Sequence, residues 1–185
     1  RLGGCLRMLA AVERDMRRGE PWRSLPPAYD KLERLSRRQI GTAVVLDRCL
    51  RRAIPPNEAR EITASIVKTA SVDFLGRNVP RLSRKKIQSM KPQKRSRYLM
   101  KIQRRFFNAD ADLHINNDES LDLTIYRCRF VELLEKIGER DMALIFCEGD
   151  RDFFENHQPE VVLDRPEKLS TGGRTCRFHF RWRNG

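Results

Sequence analysis

Three cysteines in the last third of the chain stand beside charged or polar residues. They are Cys128 in Tyr-Arg-Cys-Arg-Phe, Cys147 in Phe-Cys-Glu-Gly-Asp and Cys176 in Thr-Cys-Arg-Phe. Two chemistries are open to thiols so placed. As a thiolate, a cysteine is a nucleophile, and it ionises more readily at a helix N-terminus or beside cations. Cys128 lies between Arg127 and Arg129 at the predicted start of a helix. Both influences are expected to lower its pKa. As a set, three thiolates and a carboxylate make a soft tetrahedral site suited to zinc. Cys128, Cys147 and Cys176, with Asp150 or Glu148, are the candidate ligands. The spacing C-x18-C-x28-C is that of no zinc finger or ribbon, so the metal is the second reading. Cys5 and Cys49 lie on predicted helices and read as packing.

Positioning such residues takes elements, and the apolar pattern supplies them. Leu2, Leu6, Leu9 and Val12 recur at helical spacing and predict a helix over 1–18, ended by Gly19. A second helix is expected from Ala28 to Ala53, with Leu32, Leu35, Val44, Val45 and Leu46 inward and Pro55-Pro56 as its stop. Asn57 reads as the N-cap of a third. Its stripe is Ile62, Ile66, Val67, Ala70, Phe74 and Leu75, closed by Gly76. Residues 83–106 read as a polar helix interrupted by Pro92. The period then drops to two. Leu113 and Ile115 alternate with polar residues, as do Leu121, Leu123 and Ile125, and Asn116-Asn117-Asp118-Glu119 joins them as a hairpin turn. A helix from Arg127 to Ile137 ends at Gly138. Another, capped by Asp141, runs to Cys147, so Asp150 follows a helix end. Val161–Leu163 and Cys176–Trp182 are strands, the last entered through a Gly172-Gly173 turn; His157 reads as loop surface. The class is α+β: an N-terminal helical layer packed on a mostly antiparallel sheet of about four strands with two intervening helices. Residues 1–106 form a basic helical region and 107–185 the α+β region, expected to integrate into one domain.

Charge is unevenly spread. Residues 1–107 carry 27 Lys/Arg against 9 Asp/Glu, a net of +18, while 108–185 carry 11 against 16, a net of −5. A basic half can contact nucleic acid. No RNP1 or GxxG clamp accompanies it, so nucleic acid is not the expected partner, although the charge alone leaves it open. No apolar run reaches the length of a membrane span, and the opening Arg1-Leu-Gly-Gly-Cys carries no signal-peptide pattern. Five cysteines, an odd number at irregular spacing, point to reduced thiols in a cytoplasm.

Five pieces then come in order: Phe107-Asn108-Ala109; Arg127-Cys128-Arg129-Phe130; Leu133-Leu134-Glu135-Lys136-Ile137-Gly138; Phe146-Cys147 with Asp150; and Gly172-Gly173 leading to Cys176 and Phe178. Together they resemble the L-2-amino-thiazoline-4-carboxylic acid hydrolase family. More distantly the layout is similar to vinyl-reductase-like ligand-binding domains, in some of which cysteines and a carboxylate hold a structural zinc. The first resemblance implies a hydrolase of C–N or C–S bonds in a small heterocycle. Its type reaction opens a 2-aminothiazoline ring with water and leaves an N-carbamoyl amino acid with a free thiol. That chemistry needs attack on an amidine-like carbon, a proton for the leaving group and a grip on the substrate carboxylate. Cys128 and Cys176 are the candidate catalytic thiols, and Asp150 and His114 the candidate proton carriers. Arg127, Arg177 and Asn108 are the candidate substrate-binding residues. The alternative is a non-enzymatic ligand-binding or sensor domain in which Cys128, Cys147 and Cys176 hold zinc. A small-molecule substrate is the expected partner, with self-association left open.

Overall fold

The computed structural model describes residues 2–115 and 119–183. Five helices come first. α1 (Leu2–Arg17) leads to α2 (Lys31–Arg51), whose first turn is capped by Asp30, its carboxylate accepting from the Glu33 amide at 2.6 Å. α3 (Pro56–Asn78) opens on a proline, which has no amide to satisfy, so Asn57 lies inside the first turn and is not the cap. α4 (Arg84–Gln88) is short, and α5 (Pro92–Gln103) again opens on proline.

Two expected apolar stripes are turned about their axes. In α3 the buried residues are Ala59, Thr63, Val67 and Leu75, while Ile62 and Ile66 are exposed. α3 packs against both α2 and α7 (Ala143–His157). A helix held between two others must offer them its smaller side chains. In α1 Val12 is buried, while Leu6 and Leu9 of the expected stripe face outward. α1 meets α2 instead along Met8, Ala11, Val12 and Met16, against Val45 and Cys49.

The strands are β1 (Ala109–Ile115), β2 (Ser120–Cys128), β3 (Val161–Asp164) and β4 (Cys176–Trp182). They form one antiparallel sheet in the order β1-β2-β4-β3. The turn expected at 116–118 lies outside the described residues. α6 (Arg129–Lys136) and α7 lie in the chain between β2 and β3, and the fold is α+β as the patterning indicates. α6 starts two residues later than expected because β2 runs on to Cys128. After α6, Gly138 takes a φ of +72° that side chains disfavour.

α7 departs most from expectation. Asp141 sits in a 3-10 turn, Arg140–Met142, and does not cap the helix. The helix does not stop at Cys147 but continues to His157, so Asp150 lies within it. Gly149 is no terminator. Its missing side chain lets α3 pass: a Cβ there would stand 2.3 Å from the Ser71 Cβ. The main core joins α2 to α6 and the Arg140–Met142 turn through Ile40, Val44, Leu134 and Met142, all fully enclosed, and reaches α7 at Ala143. A second core joins α3, α7 and β3 through Leu75, Val79, Phe153, Phe154 and Val161.

Candidate active site

A β-bulge decides which side chain of the Arg127-Cys128 pair turns inward. Ala111 faces Ile125, but Asp110 faces Arg127 and Ala109 faces Cys128, so β2 carries one extra residue, Tyr126. Along β2, Leu121, Leu123 and Ile125 share the inner face of the sheet. The extra residue shifts the alternation by one, sending Arg127 outward and Cys128 inward. Arg127 then pairs with Glu132 at 2.6 and 2.8 Å, and Arg129 with Asp110 at 2.9 Å. Neither arginine acts on the thiol as the sequence suggests. The amides of Val131 and Phe130 at the start of α6 do favour the thiolate, but burial outweighs them. The Cys128 pKa is pushed up to about 12, not down. Cys147 and Cys176 are near enough to raise it further.

Around these thiols stands a polar group that the sequence reading did not contain. Arg165, directly after β3, is only 6% exposed. Its Nη1 donates to the Cys147 carbonyl at 3.0 Å and to Asp150 Oδ2 at 3.1 Å, and its guanidinium lies 4.1 Å from the centre of the Phe178 ring. Burial pushes the Asp150 carboxyl up to about 6, with Glu148 adding to the rise, and the single guanidinium does not reverse it. Burial alone favours the neutral form of Arg165, yet Asp150 and the Cys147 side chain keep its pKa raised. The cation is therefore permanent, and the carboxyl is the group that titrates. Burial likewise raises the Cys147 thiol, against the pull of Arg165. That thiol donates to Ser170 Oγ at 3.5 Å, and the Cys176 sulfur accepts from the Leu169 amide at 3.1 Å.

Asp150 also stands in the wall of a cavity of about 190 Å³ between the inner face of the sheet, α5 and the end of α3. Its 29% exposed side chain is set in an apolar surround that includes Leu99, Leu113, Leu123, Ile125, Phe154 and Phe178. Left dry, a void of this size costs on the order of 5 kcal/mol at about 24 cal/mol per Å³. That is a large part of a domain's net stability.

Of the other candidates, Asn108 lies in the cavity wall. His114 is exposed on the outer face of the sheet, across from Asp122, which binds His179 Nδ1 at 2.6 Å. Arg177 is also exposed, 3.3 Å from Glu167. The structure thus brings Cys128, Cys147, Cys176 and Asp150 near one another, sets Asn108 with Asp150 in the cavity wall while the three thiols do not line it, and leaves His114, Arg127 and Arg177 outside. Among the described residues no three His, Cys, Asp or Glu side chains form a group that could hold a metal ion. Cys128, Cys147 and Cys176 are not such a group, and the Cys147 and Cys176 sulfurs contact Ser170 and the Leu169 amide. Arg165 and Ser170 carried no signal in the sequence, since no motif surrounds either.

The model of the family described as L-2-amino-thiazoline-4-carboxylic acid hydrolase matches residues 34–180. Among solved structures, the chain is similar to a trafficking protein particle complex subunit 3 from Naegleria fowleri covalently bound to palmitic acid. The identity is 10% and the TM-score 0.42, over 83% of this chain and 95% of that one. The comparison with curated proteins gave no match. No described helix is long and apolar enough to cross a membrane.

Proposed function

The chain belongs to the L-2-amino-thiazoline-4-carboxylic acid hydrolase family, and from that premise we propose that it hydrolyses a C–N or C–S bond in a small heterocycle, with Asp150 moving the proton. The observation that carries this reading is the Asp150 carboxyl, whose pKa stands at about 6 in the wall of an apolar cavity. Opening a 2-aminothiazoline ring consumes one water. The water oxygen bonds to the carbon between sulfur and nitrogen. The ring C–S bond breaks with its electron pair on sulfur; one water proton ends on that sulfur and the other on the ring nitrogen, as C=N becomes the N–H of the carbamoyl group. One group that accepts a proton and gives it back serves both steps. A carboxylate of pKa near 6 is ionised at neutral pH and more basic than an ordinary aspartate. Arg165 fixes it through Oδ2. The Cys128 thiol, with a pKa of about 12, is neutral at that pH. In this reading the Cys128 and Cys147 thiols, both raised by burial, are neutral neighbours of Asp150. The five free cysteines support a reducing, cytoplasmic setting.

The test is turnover of L-2-amino-thiazoline-4-carboxylate by the reduced protein, followed as appearance of free thiol. Asp150→Asn is expected to lower it by about 10²–10⁴-fold while circular dichroism shows the fold retained. Release of no thiol by the native chain sinks the named reaction. Full turnover by Asp150→Asn sinks the role of the carboxyl.

A further inference from the structure

We infer that the cavity takes a medium-chain anionic amphiphile, with an alkyl chain against the sheet and a carboxylate or phosphate head toward the basic segment 81–105. The inference goes beyond the hydrolase reading and stands whether or not Asp150 handles protons.

The sheet face comes first. Ala111, Leu113, Leu121, Leu123 and Ile125 share an apolar face, yet each is only half-buried. Their counterparts in the α2–α6 core, Ile40, Val44 and Leu134, are fully enclosed. The strands therefore present apolar surface that no element of the described chain fills. Size sets the chain length. An apolar cavity of about 150 Å³ holds a benzene ring, and a methylene group is close in bulk to a water molecule, whose share of liquid volume is about 30 Å³. The 190 Å³ here then suits about six to eight carbons.

Charge selects the head. The roof of the cavity is α5, which sets Leu99 and Ile102 in the wall. The segment 81–105 that contains it carries 11 Lys/Arg and no Asp/Glu. The acidic residues in the wall, Glu119 and Asp150, are already held by Arg84 at 2.6 Å and by Arg165 at 3.1 Å. The field at the roof is therefore positive, and it favours an anion over a neutral or cationic head.

The experiment is calorimetric titration of the full chain at low salt with butanoate, hexanoate, octanoate and decanoate, and with octanol and octyltrimethylammonium, all as monomers. Affinity is expected to rise about fourfold per methylene up to octanoate and then to flatten. Octanol is expected to bind at least tenfold more weakly, and the cation weaker still. Ala111→Phe fills the cavity from β1 and should lose octanoate binding. The double variant Lys94→Glu/Lys101→Glu changes only exposed residues of α5. It should weaken octanoate several-fold, leave octanol unchanged, and decide the matter if the phenylalanine variant does not fold. Three results overturn the inference: no octanoate binding, no dependence on chain length, or equal affinity for octanoate and octanol. A fourth is binding to anionic phosphatidylglycerol vesicles that Ala111→Phe leaves intact while octanoate does not bind. That would make the basic segment a membrane-surface contact and leave the cavity without a ligand.

Discussion

Glu139 and Asp150 are acidic groups withdrawn from water on either side of the start of α7, and they carry opposite pKa shifts. Glu139 is 10% exposed and belongs to the helical layer. Arg48 Nε and Arg51 Nη2 donate to its Oε1 at 3.1 and 2.7 Å, and Arg60 stands 3.7 Å from its Oε2. Burial alone would raise its pKa, but the guanidinium groups of Arg51 and Arg48 outweigh burial and hold it below the usual glutamate range. Asp150 meets one guanidinium, and there burial wins. The number of cations around a buried carboxyl thus separates a fixed structural anion from a group that exchanges a proton near neutrality. The surroundings differ in the same sense. Glu139 lies beside a closed core, while Asp150 borders a cavity of about 190 Å³.

Breaking the comparison at its structural end should have the largest effect on stability. Glu139→Ala leaves three half-buried arginines without their shared anion, and is expected to cost about 3 kcal/mol in urea denaturation at pH 7. A loss under about 1 kcal/mol would show the network to be a surface ornament. The next effect comes from pH. The Asp150 pKa rises from 3.8 to about 6 on folding, so the folded chain holds this proton more tightly than the unfolded one. The stability it contributes is complete below about pH 4 and is lost as pH rises through 6. Asp150→Asn removes that loss. Relative to the native chain, the variant should gain on the order of 2 kcal/mol between pH 4.5 and 7.5, on top of a constant offset from the altered Arg165 contact. Glu139→Gln has the opposite sign. Its lowered pKa gives stability that is present above pH 4.5 and lost as pH falls through the folded value. The cost of that variant should therefore shrink in acid. Parallel pH profiles for the two variants would erase the distinction between the carboxyls.

The fold was legible where one periodicity sets one face. The period-two runs at Leu121-Leu123-Ile125 and Phe178-Phe180 placed two strands correctly. Three features were not legible, each for a physical reason. The bulge at Tyr126 leaves no mark in composition, and without it alternation along β2 puts Arg127 inside. Gly149 reads locally as a helix end, because its use is tertiary: Ser71 of α3 occupies the space of a side chain. Arg165 lies on a loop after a four-residue strand, and only folding brings it to Asp150. The candidate site was therefore half visible, as residues whose chemistry stands out by type. Its electrostatics, which invert the expected Cys128 shift, come from burial and from which way two arginines turn.

The two glycines along the α3–α7 packing sharpen the same point at smaller magnitude. Gly149→Ala sets a methyl group 2.3 Å from Ser71 Cβ, and should cost about 1–3 kcal/mol by forcing the helices apart. Gly76→Ala, whose new Cβ meets only Phe153 at 4.0 Å, should instead stabilise α3 by about 0.5–1 kcal/mol. Thermal melts of the pair read out both signs. The smallest effect is expected at Cys128. A thiol held near pKa 12 by burial contributes no thiolate at pH 7, so Cys128→Ala should keep turnover within about twofold to threefold of the native rate. Iodoacetamide should label that thiol slowly until pH is well above 8. If Cys128→Ala instead loses activity as fully as Asp150→Asn, bound substrate must be lowering the thiol pKa by several units. The carboxyl would then serve the thiol as its base and not act on water directly.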